Sequence, residues 1–145
     1  GSLHASAETF APHGHLSRPS GLCFDSHGNL LVTHLGGQVL KFAGPLQKNP
    51  GEYLGVFVDT LLPQHGLGPG LANSRMHPKP FDICWCEGLL FLTTHTCSEE
   101  GEAEHGKLSV WDEDGVLLQV HDLAGHRHPN MLAVYSLPVR GDTRQ

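Results

Sequence analysis

Short runs of apolar and polar residues alternate along this chain, and the pattern predicts β-strands joined by turns. Gln38–Phe42 alternates polar with apolar residues, and Leu89–Thr94 begins as an apolar run of strand length. Aspartate and glycine cluster between the runs, at Asp25–Gly28 and at Asp112–Gly115, where they favour tight turns. The predicted strands are Gly21–Phe24, Leu30–Thr33, Gln38–Phe42, Tyr53–Val58, Phe81–Cys86, Leu89–Thr94, Lys107–Trp111 and Val116–His121.

The predicted strands form two units with the same order of elements, about 60 residues apart. Arg18–Phe24 opens the first unit, Lys79–Trp85 opens the second, and His128–Val134 opens a third that is not completed. A four-stranded sheet cannot cover both of its faces alone, so we expect the units to stack on each other. The aligned apolar positions that stacking would bury are Leu22 and Ile83, Phe24 and Trp85, Val39 and Leu108, Phe42 and Trp111, Leu54 and Leu118, and Val56 and Val120.

The first unit resembles a known type of β-propeller repeat. Pro19–Asp25, followed by Gly28–Thr33, is similar to the repeat of the NHL family and of the related gluconolactonase-like and lyase-like six-bladed propellers. The second unit departs from the family pattern at Phe81–Asp82 and at Cys86–Glu87. The resemblance implies an all-β fold, a partial β-propeller with two four-stranded antiparallel blades and flanking strands of incomplete blades.

This interpretation divides the chain into five segments. Two blades occupy residues 18–62 and 79–123, with a connection rich in glycine and proline over 63–78. Residues 1–17 are expected to hold the last strand of a preceding blade, and 124–145 the start of a third blade and a tail. Because a propeller needs about 4–8 blades to close, the two blades imply further blades or a homo-oligomer such as a trimer.

Composition argues against some classes of partner. The net charge is −6 with histidine neutral, and no basic block is present, so we expect neither nucleic acid nor membrane surfaces as partners. No apolar run approaches the roughly 20 residues of a membrane-spanning helix, and no signal-peptide pattern opens the chain. The 4 cysteines are too few for a dense disulfide framework, which mildly favours a reducing, cytoplasmic location.

The cysteines are interpreted first as packing residues. Cys84 and Cys86 lie two residues apart on one predicted strand, so their side chains share a face, which invites a metal or redox interpretation. Cys84 also aligns with Cys23 and with Ala133 of the third unit, which indicates a position for a small buried side chain. We therefore expect the thiols to pack in the core. Metal or redox use and a disulfide with Cys97 are the alternatives.

Histidine is abundant, with 12 in 145 residues, and several histidines fall near the predicted channel mouth. His34 and His95 end corresponding strands, and His128 stands at the opening of the third unit, just before its first predicted strand. By resemblance to metal-dependent propeller enzymes, which gather ligands from several blades, these three are the first candidates for a divalent ion such as zinc or calcium. Asp82 is the carboxylate best placed to act as a catalytic acid or base. The plainer alternative, which the residues themselves favour, is that these histidines are solvated or structural.

Three functions fit these observations. The leading one is a binding scaffold whose ligand face, at the channel mouth, recognises a protein, a peptide or a small molecule. The second is a metal-dependent propeller enzyme, a lactonase-like hydrolase or a lyase, that uses the histidines. The third is an incomplete propeller fragment that needs further blades or oligomerisation. Because the repeat is present and no complete catalytic set occurs, a binding role is favoured over catalysis, and the metal-dependent hydrolase or lyase stays open as the alternative.

Overall fold

The computed structural model describes residues 16–34, 36–60, 77–97, 103–123 and 132–134, and all regular elements in these ranges are strands. The strands are β1 Pro19–Phe24, β2 Leu30–His34, β3 Gln38–Phe42, β4 Tyr53–Asp59, β5 His77–Cys86, β6 Leu89–Cys97, β7 Ala103–Asp112 and β8 Leu117–Asp122. The predicted all-β class is confirmed, and every predicted strand overlaps an observed one.

The strands form two antiparallel sheets in which each strand pairs with the next along the chain. Sheet 1 has the order β1-β2-β3-β4, and sheet 2 has the order β5-β6-β7-β8. Paired residues form rows across each sheet. One row of sheet 1 consists of Leu22, Val32, Leu40 and Val56. The corresponding row of sheet 2 consists of Ile83, Leu92, Ser109 and Val120. The two predicted units are therefore two sheets of the same topology.

The sheets differ in the turn that joins their first two strands. In sheet 1 the Asp25 carboxylate accepts hydrogen bonds from the backbone and side-chain N–H groups of Asn29, at 2.8 and 3.0 Å. Gly28 lies in this turn at a φ of 77°, a left-handed conformation that favours glycine. Lys41 Nζ lies 3.3 Å from Asp25 and ties the turn to β3. In sheet 2 the strands are joined by the short turn Glu87–Gly88.

One apolar core joins the two sheets. β5 lies against β1 and β2, so the first strands of the two sheets are neighbours. The core residues are almost completely buried and come from both sheets: Leu31, Val39, Val58, Ile83, Leu90, Leu92 and Trp111. Cys23, Phe57 and Leu117 pack against this core. The sheets stack face to face because each supplies the apolar surface that the other needs to bury.

The sheets approach each other most closely at Gly21 of β1. A Cβ atom at this position would lie 2.6 Å from Asp82 Oδ1 and 2.8 Å from the Phe81 carbonyl oxygen, closer than real Cβ contacts allow. Glycine is therefore required for β1 and β5 to touch at this point.

The predicted burial of the aligned apolar positions is correct for some residues and wrong for others. Ile83, Val39, Phe42 and Trp111 are buried. The exposed ones are Leu22, Phe24, Leu54, Val56, Trp85, Leu118 and Val120. The physical reason is that the exposed residues all lie on the edge strands β1, β4, β5 and β8, which have a neighbouring strand on one side only. Phe42 of the central strand β3 is buried with Val32 and Leu40 in a second apolar cluster, on the face of sheet 1 that points away from sheet 2.

Sheet 2 is longer than sheet 1 at one end. β6 continues to Cys97, where it pairs with β5 at His77 and with β7 at Ala103, whereas the β2–β3 hairpin stops at His34. The predicted strands Leu89–Thr94 and Lys107–Trp111 are therefore too short at this end, because β-branched threonines along β6 carry the pairing further. We call residues 77–79, 95–97 and 103–106 the extension. Its three residue pairs add about 10 Å to the sheet.

Candidate functional site

The predicted ligand face corresponds to the end of the molecule where β2 and β4 finish and the extension begins. Thr60 follows β4 and is buried at this end. Its hydroxyl lies 2.5 Å from the carbonyl oxygen of Gly37 and 3.0 Å from that of Pro78. Its backbone N–H also donates to Gly37, at 2.9 Å. Thr60 therefore fastens the end of sheet 1 to the extension at Pro78.

Two hydroxyl groups of sheet 1 bind one backbone carbonyl of sheet 2. Ser20 Oγ and Thr33 Oγ1 donate to the carbonyl oxygen of Phe81, at 2.6 and 2.9 Å. Thr33 Oγ1 also accepts the N–H of Gly21 at 2.8 Å. A register shift between Pro80 and Asp82 takes Phe81 out of the β5–β6 pairing, so its carbonyl is available to sheet 1. These bonds satisfy polar groups where the sheets meet.

Asp82, the candidate acid or base, accepts hydrogen bonds from backbone N–H groups with both of its carboxylate oxygens. Oδ1 accepts from Ile83 at 2.9 Å, and Oδ2 accepts from Leu132 at 2.7 Å. The second bond brings residues 132–134 to β5, where Asp82 occupies the place that Gly21 has in β1. Among its described contacts, Asp82 thus fastens the next segment of the chain to sheet 2.

His34 is buried at the end of β2 and packs within sheet 1. Its Nδ1 accepts the N–H of Ser17 at 3.2 Å, and its ring lies against Gly36, where an added Cβ would meet Cε1 at 2.5 Å. Nε2 is buried and has no hydrogen-bond partner among the described residues. The ring is therefore held in place by the chain around it.

His95 is buried in the extension and lies one residue out of step with His34. His34 pairs with Pro19, whereas Pro80, the counterpart of Pro19, pairs with Thr94. Because side chains alternate between the faces of a sheet, a shift of one residue turns His95 to the opposite face. Its ring stacks on Phe81 with 4.0 Å between the ring centroids. Ending corresponding strands after a threonine therefore does not make the two histidines equivalent.

The structure brings no metal-binding group together within the described ranges. No three His, Cys, Asp or Glu side chains there are arranged to hold an ion. His34 and His95 are buried in separate packing contacts. His128, the third candidate, lies outside the described residues.

The thiols of β1 and β5 have the character of packing residues. Burial raises the pKa of the Cys23 thiol to about 12, and the neighbouring Cys84 adds to the shift. Burial also raises the pKa of Cys84. Both groups stay protonated at neutral pH, and the thiolate is the form that attacks substrates and binds metals. Cys23, Cys84 and Cys86 form no disulfide. The Cys97 side chain lies outside the described part of the chain.

A second junction between the sheets lies at the opposite end, and sequence reasoning missed it. Glu113, in the β7–β8 turn, accepts the backbone N–H and the hydroxyl of Ser26, both at 2.6 Å, and the indole N–H of Trp85 at 2.8 Å. The hydrogen bond from the Ser26 hydroxyl is the main cause that lowers the pKa of Glu113. Ser26 and Glu113 lie far apart in the sequence, so only the stacking of the sheets makes them neighbours.

Comparisons with known proteins do not assign the chain to a family. It matches none of the sequence models of known families, and no curated protein matches it. Among the described residues, no helix has the length and apolar character required to span a membrane.

Proposed function

We propose that this chain is part of a β-propeller and acts as a binding scaffold. Two four-stranded antiparallel sheets of the same topology support this reading, as does their stacking with first strands side by side. The position of Leu132 against Asp82 adds support, because it repeats for a third segment the place that β5 takes beside β1. NHL-type and gluconolactonase-like propellers remain the family that the repeat pattern resembles.

The ligand face of this scaffold is the end that carries the extension. The observation that carries the proposal is that sheet 2 rises about 10 Å above the end of the β2–β3 hairpin and forms a wall there. Thr60 binds the carbonyl of Pro78 within this wall, so sheet 1 holds the wall in place. A rigid frame that presents a raised surface is suited to a protein, a peptide or a small molecule.

The polar groups next to the wall support binding better than catalysis. The hydroxyls of Ser20 and Thr33 and the carboxylate of Asp82 are engaged with backbone groups. His34 and His95 are buried by packing. Lys79 is half-exposed at the wall, where it can meet the acidic or polar groups of a ligand. Lys107, at the base of the wall, lies 3.8 Å from the carboxylate of Asp122. No specific observation among the described residues favours the metal-dependent hydrolase or lyase.

The proposal is tested by mapping where ligands bind. Libraries of short peptides and of small molecules are screened against isotopically labelled full-length chain by amide chemical shifts. We expect binders to shift the amides of Lys79, His95 and Lys107, and Lys79→Glu to weaken an acidic binder about tenfold, the effect of roughly 1.4 kcal/mol. Binders that shift the amides of Ser26 and Glu113 instead, at the opposite end, would contradict the proposed face.

Lys48→Glu is the matched control, because Lys48 is an exposed lysine in the β3–β4 connection. It makes the same change of charge away from the wall and is expected to leave affinity within about twofold. Equal losses of affinity in the two variants would show that only net charge matters and would contradict binding at the wall.

A further inference from the structure

The last strand of sheet 2 is an open edge. β8 pairs with β7 on one side, and no strand in the described ranges pairs with its other side. Alternate residues of an edge strand direct N–H and C=O groups outward, where a further strand can bind them. Every β8 residue after Leu117 is exposed, and the apolar side chains of Val116, Leu118 and Val120 are 53%, 49% and 38% exposed. This edge therefore offers both backbone hydrogen bonds and apolar surface.

The edge of β8 lacks the features that protect most edge strands from other strands. Charged side chains, proline and bulges are the usual protection. Val116–His121 contains no proline and no Asp, Glu, Lys or Arg. One irregularity leaves Leu118 out of the β7–β8 pairing, but Gln119–Asp122 pairs with β7 in unbroken register. Four consecutive residues thus present a regular edge.

β4, the last strand of sheet 1, is protected where β8 is not. Its pairing with β3 shifts register at two places, so at most two consecutive residues pair regularly. Gly55, in the middle of β4, has a φ of 121°, which no ordinary strand residue adopts. Such irregularities bend an edge away from incoming strands. The first strands β1 and β5 lie against each other, so β8 is the regular edge that the described sheets leave open.

Charge identifies an antiparallel copy of β8 as a fitting partner. The chain carries a net charge of −6, so copies repel each other except where the contact is uncharged, as it is over Val116–His121. Antiparallel pairing centred on Val120 places Gln119 of each copy opposite His121 of the other, and these two groups already lie 3.3 Å apart within one chain. Pairing centred on Leu118 would instead set Asp114 opposite Asp122, and like charges in that position are destabilising.

We propose that two copies of this chain pair β8 to β8, antiparallel, about a two-fold axis at Val120. The two copies of sheet 2 then form one continuous sheet of eight strands. Because each copy uses its open edge, the association closes at the dimer. A contact along one strand buries less than the roughly 1,200 Å² of stable complexes, so we expect a dimer that forms with rising concentration. The contact lies on β8 and not on the extension, so it stands or falls separately from the ligand face.

The test measures the mass of the full chain by light scattering over a range of concentrations. We expect a rise from monomer to dimer and no further. Val120→Glu and Val120→Lys each place like charges opposite each other at the axis, and each should raise the dissociation constant at least about tenfold. An equimolar mixture of the two variants places opposite charges there, and should dimerise at least about fivefold more tightly than either variant alone.

Val56→Glu and Val56→Lys are the matched controls, because Val56 is the aligned valine of the protected edge strand β4 and is 47% exposed. They are expected to leave the dissociation constant unchanged. The urea midpoint of each variant, measured in dilute solution, establishes that its monomer is folded.

A folded chain that stays monomeric up to about 1 mM would overturn the proposal, since even weak complexes are half formed at that concentration. An oligomer that the Val120 variants leave intact would overturn it as well, as would one that the Val56 variants weaken equally. Failure of the mixed Val120 variants to recover association would contradict the two-fold axis at Val120, and a mass that grows beyond the dimer would contradict closure through β8.

Discussion

Sheet 1 and sheet 2 share a strand order and rows of paired residues, yet equivalent side chains make different contacts between the sheets. Thr33 of sheet 1 and Thr93 of sheet 2 both accept the backbone N–H of a residue in the first strand of their sheet. Thr33 also reaches the carbonyl of Phe81 in the other sheet, whereas Thr93 returns to Asp82 of its own sheet. The repeat thus preserves the bonds within a sheet, and the bonds between sheets depend on position in the stack.

This difference teaches that a repeat has two kinds of stabilising contact. The apolar rows are shared by both sheets and form the common core. The polar contacts between sheets, such as Thr60 to Pro78 and Ser26 to Glu113, each occur once among the described residues, where one sheet meets the next. Removing a side chain of the apolar core should therefore destabilise both sheets together. Removing one polar contact should act more locally.

The largest effect is expected for Trp111→Ala, which removes a core side chain that is 1% exposed. Trp111 packs between the sheets, and its indole N–H donates to Ser109 Oγ at 2.8 Å. We expect a loss of about 3–5 kcal/mol in the free energy of unfolding, the range for a large aromatic residue replaced by alanine in a core. Urea unfolding measures the loss, and hydrogen exchange follows the amides of each sheet.

Trp85→Ala is the control for this experiment, since Trp85 lies in the same cross-sheet row but is 36% exposed. We expect it to cost clearly less than Trp111→Ala, because its ring is partly hydrated already. Both sheets should lose protection together in Trp111→Ala. If the amides of sheet 1 kept their full protection, the shared core would not couple the sheets and the comparison would fail.

The fold was largely predictable from the sequence because strand periodicity and turn residues are local signals. Gln38–Phe42 was predicted with the bounds that β3 has, and the Asp-Gly turn before β8 is present. The exposed state of Leu22 was not predictable, because its pattern is that of Ile83 and only the number of stacked sheets decides which is covered. Local pattern assigns a residue to a face but not to a neighbour.

The candidate site was less predictable than the fold. The sequence comparison matched His34 with His95 because each follows a threonine at the end of a predicted strand. In the structure the two residues differ by one position in register, so they lie on opposite faces of their sheets. Glu113 and Thr60 were missed because their partners are distant in the sequence, and no motif marks a carboxylate or hydroxyl that will meet a neighbouring sheet. A periodic pattern therefore predicts which strands exist before it can predict which side chains meet.

An intermediate effect is expected for Thr33→Val, which keeps the shape of the side chain and removes its hydroxyl. The Gly21 N–H loses its acceptor, and the Phe81 carbonyl loses one of its two hydroxyl donors. Leaving buried polar groups without partners costs about 1–3 kcal/mol, and we expect a loss in this range. The change in urea midpoint, with an unchanged slope, gives the value.

Thr93→Val provides the comparison within the same repeat, because Thr93 bonds only to Asp82 of its own sheet among its described contacts. We expect it to destabilise the protein less than Thr33→Val, since no contact between sheets is lost. If the two variants cost the same, the bond to Phe81 contributes nothing measurable, and the polar fastening of the sheets would have to be assigned to Ser20 and Thr60.

The smallest effect is expected in the turns, where sheet 1 has a carboxylate network and sheet 2 has the short Glu87–Gly88. Burial acts to raise the pKa of Asp25, but the hydrogen bonds from Asn29 and Lys41 outweigh it and hold the pKa below its usual value. A lowered pKa in the folded state means that the stabilising contribution is complete above about pH 4 and is lost as the pH falls through the folded-state value.

Asp25→Asn removes the charge, so we expect a loss of about 1 kcal/mol at neutral pH that shrinks on acidification. Asp114→Asn, at an exposed aspartate in the β7–β8 turn, is the control and should run parallel to the unaltered protein. Urea unfolding at a series of pH values measures the difference, and a gap between Asp25→Asn and the unaltered protein that stays constant down to pH values of about 2 would show that the turn of sheet 1 draws no stability from the Asp25 charge.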